Sequence, residues 1–261
     1  MSDGELFNQM ADYYDIFRPD YPKIIADTIV DKANLTNQSK ILEIGSGSGK
    51  ATAMFVDFGI RVVCIEPGMD LIAKAKGKFS GKHVEFIASR FEEVSITPGD
   101  FDAIVSAQAF HWIEQPTGYL KCAELLKSNG CLAIFWNIDI YNDTEFDNEL
   151  QNLLNRYDGQ VSCATADFYT KRSDTIISGM AESGVFLCPE LMKFIFDKSY
   201  TAEEYYGYML TSQVFIQKPE THKKECYNEL VKLTDKYGGI IKRQYVCELY
   251  YAKRKTKPLL M

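Results

Sequence analysis

Three glycines stand at alternate positions, Gly45, Gly47 and Gly49, in the run ILEIGSGSGK, and a glutamate, Glu43, precedes them by two residues. A second glutamate, Glu66, closes the next apolar run, VVCIEPGM, about 20 residues further on. Glycines so spaced let the chain turn sharply and bring backbone amides close to a ligand. In a doubly wound sheet, a carboxylate at the end of the following strand accepts hydrogen bonds from ribose hydroxyls. The chemistry indicated is recognition of a nucleotide-like molecule, and three ligands compete for it. A phosphate-cradling loop needs GxxxxGK followed by Ser or Thr, but its first glycine would fall on Ile44 and its hydroxyl on Ala51. That reading fails twice. The dinucleotide pattern GxGxxG needs a third glycine where Lys50 stands, which weakens a nicotinamide cofactor. Glu43 would oppose a pyrophosphate but attract an ammonium. S-adenosylmethionine, with an α-ammonium, a sulfonium, a ribose and an adenine but no phosphate, fits the loop best.

The elements that must position these residues are legible in outline. Short apolar runs recur at Ile41 to Ile44, Val62 to Ile65, Val84 to Ile87, Ala103 to Val105 and Cys131 to Phe135. Helix-like segments lie between them at Ala51 to Phe58, Met69 to Phe79 and Thr117 to Leu126. Such alternation predicts an α/β, doubly wound, mostly parallel sheet covered on both faces. After Trp136 the rhythm changes. The polar segment 139–190 is too long for an ordinary connection and reads as an inserted helical cap, with NDTEFDNELQNLLNRY as an amphipathic helix. Beyond it, Met192 to Tyr200 reads as a strand, Ala202 to Met209 and Thr221 to Lys236 as helices, and Gln244 to Arg254 as a last strand. The expected organisation is a single domain over 1–261, with N-terminal lid helices in 1–35, a cofactor-binding core in 36–138, the cap in 139–190 and sheet-completing elements in 191–261.

Composition narrows the partners. The 261 residues carry a formal charge of −7, with a pI near 5.1, which would repel a nucleic-acid backbone. The basic cluster KRKTK at Lys253 to Lys257 reads as a solvated tail. Seven scattered cysteines without a CxxC pair read as reduced thiols, and three histidines at no metal-ligand spacing argue against a metal. With no long apolar run and a polar start, the expectation is a cytoplasmic protein that uses neither membrane nor nucleic acid. Nothing in the sequence speaks to oligomeric state.

The ordered set ILEIGSGSG, VVCIEPGM, FIASRFEEV, FDAIVSAQAFHW and GCLAIFWN resembles the motifs of class I S-adenosylmethionine-dependent methyltransferases across residues 40–137. YYDIFRPDYP (Tyr13 to Pro22) and AQAFHW (Ala107 to Trp112) further resemble the trans-aconitate methyltransferase-like group, which acts on small molecules. The resemblance implies a seven-stranded sheet with an antiparallel last strand. It sets Gly45, Gly47 and Gly49 against the methionyl part of the cofactor and Glu66 on the ribose hydroxyls, with Glu43 and Ser46 also among the cofactor-binding residues. Pro67 and Met69 would lie near the adenine, with Met69 packed on it. Ser89, beside Arg90 and Phe91, stands where many relatives carry an aspartate for the adenine amino group.

Strand C-terminal ends bind ligands in open parallel sheets, which adds Gln108, Phe110, His111, Trp112, Trp136 and Asn137, together with Tyr14, Arg18 and Tyr21 of the N-terminal segment. His111 is the catalytic candidate, as base or donor, and merely orders a loop otherwise. Arg18 would pair with a carboxylate of cofactor or substrate, Tyr14 and Gln108 would line the cofactor, and Tyr21, Trp112, Trp136 and Asn137 the acceptor. The leading expectation is methyl transfer to a small molecule, a carboxylate oxygen among the candidates. A non-catalytic cofactor-binding protein and a nicotinamide-dependent oxidoreductase are the alternatives.

Overall fold

The computed structural model describes residues 13–157 and 166–256. Residues 1–12 of the expected lid, the stretch 158–165 with Cys163, and Lys257 of the basic cluster lie outside them. The chain divides into two compact units: one of Met1–Pro19, Ile138–Asp167 and Ile195–Val246, the other of Asp20–Asn137, Phe168–Phe194 and Cys247–Met261.

The second unit holds the sheet. Its strands are β1 (Lys40–Ile44), β2 (Arg61–Glu66), β3 (Val84–Ala88), β4 (Phe101–Ala107), β5 (Leu126–Ile140), β6 (Glu190–Tyr200) and β7 (Ile241–Lys253), in the order β3-β2-β1-β4-β5-β7-β6. The later residues of β5 and β6 and the first of β7 are counted with the other unit. Pairing is parallel from β3 through β5, and the last strands run antiparallel. β1 and β2 are apolar on both faces because helices cover both: Ile41, Leu42, Val62, Val63 and Ile65 are all buried. Helix α1 (Lys23–Ala33) precedes β1, α2 (Lys50–Val56) and α3 (Met69–Lys78) form the crossovers from β1 to β2 and from β2 to β3, and α4 (Thr117–Leu125) leads into β5. The strand order reverses between β1 and β4, and the crevice beyond their carboxyl ends is the switch point where such sheets take ligands.

The strand and helix expectations up to Leu125 match within a few residues. β5 does not. It runs 15 residues, so Trp136 and Asn137 lie inside the strand and not after it, because pairing carries the extended backbone well past the apolar run Cys131 to Phe135. α1 buries Ile25, Ala26 and Ile29, so residues 23–33, expected in the lid, are built into the sheet unit.

The first unit has a core of its own. α5 (Glu145–Tyr157), α7 (Ala202–Met209), the short α8 (Gln213–Ile216) and α9 (Glu220–Lys236) bring Leu150, Leu153, Leu154, Met209, Phe215, Leu230 and four tyrosines together. Of the segment 139–190, α5 belongs to this unit, and α6 (Ala166–Glu182) belongs from Phe168 onward to the sheet unit. At the start of α5 the Thr144 hydroxyl accepts the Asp147 amide at 3.0 Å and donates to the Asp147 carboxylate at 2.7 Å. Arg243 bridges that carboxylate and Asp139, the latter at 2.8 Å. Burial pushes the Asp139 carboxyl up to about 6 despite the opposing pull of Arg243.

Arg243→Met removes the only cation of this trio and leaves two carboxyls facing each other. We expect a loss of about 3 kcal/mol or more in urea unfolding at pH 7. The loss should shrink at pH 5, as the Asp139 carboxyl, pushed up to about 6, neutralises. An equal loss at both pH values would show that the network does not work through charge.

Candidate functional site

The site begins at the carboxyl end of β1. Gly45, Gly47 and Gly49 all have positive φ, at 68°, 55° and 87°, a conformation that side chains resist. Two of them are also closed to a side chain. A Cβ on Gly45 would lie 2.4 Å from that of Ala109, and one on Gly49 would lie 2.4 Å from the Phe79 ring. Over Gly47 nothing lies within 4 Å of such an atom, so the middle of the loop opens on space. The loop is pinned from below: the Gly45 amide donates to the Ile65 carbonyl at 2.8 Å, and Lys78 donates to the Ser48 carbonyl at 3.1 Å.

Glu66 ties this loop to the next. One carboxylate oxygen accepts the Gly47 amide at 2.9 Å and the other the Gly68 amide at 2.8 Å. Burial raises its affinity for a proton, and the two amides oppose that. Each oxygen retains a lone pair for a further donor. Beside it, Pro67 and Met69 are exposed. A ribose diol at Glu66, with an open space at Gly47 and an exposed apolar side chain at Met69, is what an adenosyl group needs, and the residues present fit S-adenosylmethionine.

Glu43 is corrected. It is buried behind the loop, where one oxygen accepts the Thr52 hydroxyl at 2.6 Å. Burial pushes its carboxyl up to about 8, with the nearby Glu66 adding to the rise. It is therefore mostly neutral at pH 7 and does not supply the charge expected to draw in an ammonium. Ser46 is buried, Ser89 turns its hydroxyl onto the Arg90 carbonyl at 2.9 Å, Arg90 is exposed and Phe91 is buried beneath Lys121.

The loop after β4 forms the other wall. Gln108 sits at φ 59° and donates from its side chain to the Asn137 carbonyl at 3.1 Å. A 3-10 turn, Phe110–Trp112, follows; Phe110 is buried, whereas Trp112 is 58% exposed. His111 lies between the two tryptophans, 4.9 Å from Trp112 and 6.4 Å from Trp136 by ring centroids. The Trp136 indole donates to His111 Nδ1 at 3.3 Å. An indole N–H can only donate, so Nδ1 must accept and the neutral ring carries its hydrogen on Nε2. Burial, with help from the positive charge of Arg172, disfavours a second proton.

Tyr21 packs edge-on against Phe135 at 4.9 Å, and Asn137 donates to the Asp20 carbonyl at 3.2 Å. The Asp20 carboxylate in turn pairs with Lys50 at 2.7 Å. Tyr14 and Arg18 belong to the first unit, where Arg18 donates to the Thr211 hydroxyl at 2.6 Å and lies over the rings of Tyr208 and Tyr14. Sequence reasoning did not single out Asp20, Lys50, Thr52, Ala109 or Arg172. Ala109 alone had a signal, a small residue at the position that meets Gly45. Among the described residues no cluster could hold a metal, and no helix is long and apolar enough to cross a membrane.

The fold is that of a doubly wound protein, and the residues at its switch point fit a nucleoside. Residues 42–134 match a family described as the methyltransferase domain. An uncharacterized methyltransferase of Schizosaccharomyces pombe is 28% identical over 136 residues, 52% of this chain and 53% of that one; the chain thus spans about half the length of this relative. A methyltransferase-like protein of the same yeast is 25% identical over 83% of this chain and 81% of its own. Among solved structures, a proposed type II methyltransferase from Anaeromyxobacter dehalogenans superposes with a TM-score of 0.65 at 17% identity, covering 91% of this chain and 98% of that one. A Haemonchus contortus phosphoethanolamine N-methyltransferase bound to S-adenosylhomocysteine does so at 0.55 and 14%, covering 95% and 57%. Over residues 42–134 the chain is thus similar to the methyltransferase-domain family, and the residues of its glycine loop fit S-adenosylmethionine.

Two outcomes follow for the loop. Glu66→Ala and Gly47→Val should each weaken S-adenosylhomocysteine binding in calorimetric titration, the first by about 1.5–3 kcal/mol for a charged acceptor lost, the second by filling the open space. Near-normal affinity in both folded variants would sink the assignment. For Glu43, folding favours the protonated carboxyl, so its stabilising contribution is complete below its ordinary value of 4.5 and fades as pH rises through about 8. Glu43→Gln, neutral throughout, should flatten that decline in thermal unfolding; parallel profiles would contradict a buried neutral Glu43.

Proposed function

We propose that the protein transfers the cofactor's methyl group to the oxygen of a small-molecule carboxylate by in-line displacement. One observation carries the reading: His111 accepts from Trp136 at Nδ1, so the nitrogen left to face an acceptor is a donor and not a base. An acceptor that had to lose a proton would find no base there, whereas a carboxylate arrives ionised. The bound cofactor supplies a methyl on a positively charged sulfur, already a good leaving group. Bound there, the cofactor would give up that methyl to a carboxylate oxygen held in line, and no proton would need to be taken up by the chain.

The residues of the chain align and enclose. Glu66 and the Gly47 amide hold the ribose side, Met69 covers the adenine, and Ser46, Gly45, Gly49, Gln108 and Phe91 complete the cofactor's surroundings. Tyr21, Trp112, Trp136 and Asn137 shape the acceptor's side. Such enclosure favours an aligned approach and keeps water out. Sequence likeness to the trans-aconitate methyltransferase-like group and the acidic pI of 5.1 support a small, non-nucleic-acid acceptor.

The test begins with calorimetric titration of S-adenosylmethionine, S-adenosylhomocysteine and NADH. Micromolar binding of the first two and none of NADH is expected; NADH alone would turn the reading to an oxidoreductase. Turnover is then measured with a pool of small acids, where tight cofactor binding and no methyl ester would favour a non-catalytic binding protein. With an active acid, kcat/KM should be flat between pH 6 and 8.5. A limb that rises with pH on the acid side and disappears in His111→Gln would restore His111 as a base.

A further inference from the structure

Strand β6 closes one side of the sheet. Among the described residues only β7 pairs with it, so one row of its backbone groups faces outward with no strand to meet it. Sheet edges are ordinarily kept short or broken by proline, but β6 runs 11 residues, ELMKFIFDKSY, without one. Its side chains alternate. Lys193, Ile195, Asp197 and Ser199 are exposed, whereas Phe194, Phe196 and Lys198 are half-buried. Ile195, at 67%, is the most exposed large apolar side chain among the described residues.

Two contacts to β7 fix what lies beside the exposed row. Lys193 pairs with Glu248 at 2.8 Å, and Asp197 accepts the Gln244 side chain at 3.1 Å. Both fit one register, which sets Val246 beside Ile195. A copy of the same strand, laid antiparallel against β6 about a two-fold axis perpendicular to the sheet, meets residues of the same face, so the axis must pass through a residue. With the axis at Ile195, that side chain meets its own counterpart, and Lys193 meets Asp197 of the partner subunit. Lys193 then stands between two carboxylates. An axis at Lys193 or Asp197 brings like charges face to face, and one at Phe194 or Phe196 sets both charged residues against uncharged ones. Opposite charges directly across a strand pair stabilise it, and like charges destabilise it. A lysine on an edge ordinarily discourages pairing; the aspartate four residues on removes that obstacle for a second copy of this chain in this one register.

We propose that β6 is a self-association surface: two copies of the chain join edge to edge through β6, antiparallel about Ile195, with two Lys193–Asp197 ion pairs across the seam. The inference does not depend on the methyl-transfer reading. A seam of one strand from each copy is small beside the interfaces of permanent dimers, so association is reversible and depends on concentration.

Sedimentation velocity of the full chain from about 1 μM to about 1 mM should show the 29.7 kDa protein moving towards twice its mass. Ile195→Lys sets two like charges on the axis, and Asp197→Lys sets lysine against lysine at two places. Each should weaken association by about tenfold or more, and Asp197→Glu should preserve it. All three positions changed are exposed, and unaltered circular dichroism and thermal unfolding show that the variants are folded. The register is read separately. In a Cys188→Ser background, which removes an exposed native thiol, Ile195→Cys should close a disulfide between copies under mild oxidation, because the residue on the axis faces its own counterpart. Ser199→Cys, which faces Leu191 of the partner subunit, should not. A monomer across the whole concentration range would overturn the proposal and leave the edge to a strand of another protein. A dimer that Ile195→Lys and Asp197→Lys both leave intact would overturn it as well, since its interface lies elsewhere. Crosslinking at position 199 and not at 195 would overturn the register.

Discussion

The carboxylate of Glu66 is the constraint on which the site depends. It sits at the end of β2, accepts one amide from the glycine loop and another from the start of the next helix, and so joins two chain segments that the Gly45–Ile65 and Lys78–Ser48 hydrogen bonds also hold together. Backbone amides in water would be satisfied by solvent; here they are partly withdrawn from it, and an anionic acceptor meets them more strongly than a neutral one would. The positive φ of the three glycines follows from the same requirement, since the chain must reverse within a few residues to bring an amide back to Glu66. Gly45 meets Ala109 for a further reason: the loops of β1 and β4 touch where the strand order reverses.

Two glutamates a strand apart behave differently, and burial alone does not separate them. Both are driven towards the neutral form by loss of water. Glu66 has two amides to oppose that drive, whereas Glu43 has the Thr52 hydroxyl and the additional repulsion of Glu66. The inner glutamate is thus a packing and hydrogen-bonding element under the loop, and the outer one is held by two backbone amides at the loop's edge.

At the far wall the indole of Trp136 acts twice. Its N–H assigns the tautomer of His111, and its ring face receives the guanidinium of Arg172. A histidine so held donates a hydrogen bond and does not collect a proton, which suits a reaction whose nucleophile is already an anion. The buried Ser173, Tyr250 and Glu248 hold Arg172 at this place from behind.

Much of this is legible in the order of the residues. Alternating apolar runs and helical segments determine the parallel sheet, because a strand covered on both faces must be apolar throughout, and the spacing of Gly45, Gly47, Gly49 and Glu66 determines the class of ligand, because loop and next strand are neighbours in such a sheet. Hydrogen-bond direction and burial are not legible there. The charge of Glu43 depends on how much water reaches it, the role of His111 on which of its nitrogens Trp136 occupies 25 residues away, and the extent of β5 on its pairing partners. Arg172 stands inconspicuous in a polar helix, since nothing local to TKRSD says that its guanidinium lies on Trp136. The sequence by itself determined the sheet, the glycine loop and the carboxylate at the end of β2, which arise from local periodicity and short-range spacing. Only the tertiary structure decided protonation, tautomer and charge placement, because those are set by atoms far apart in the chain that share one patch of low dielectric.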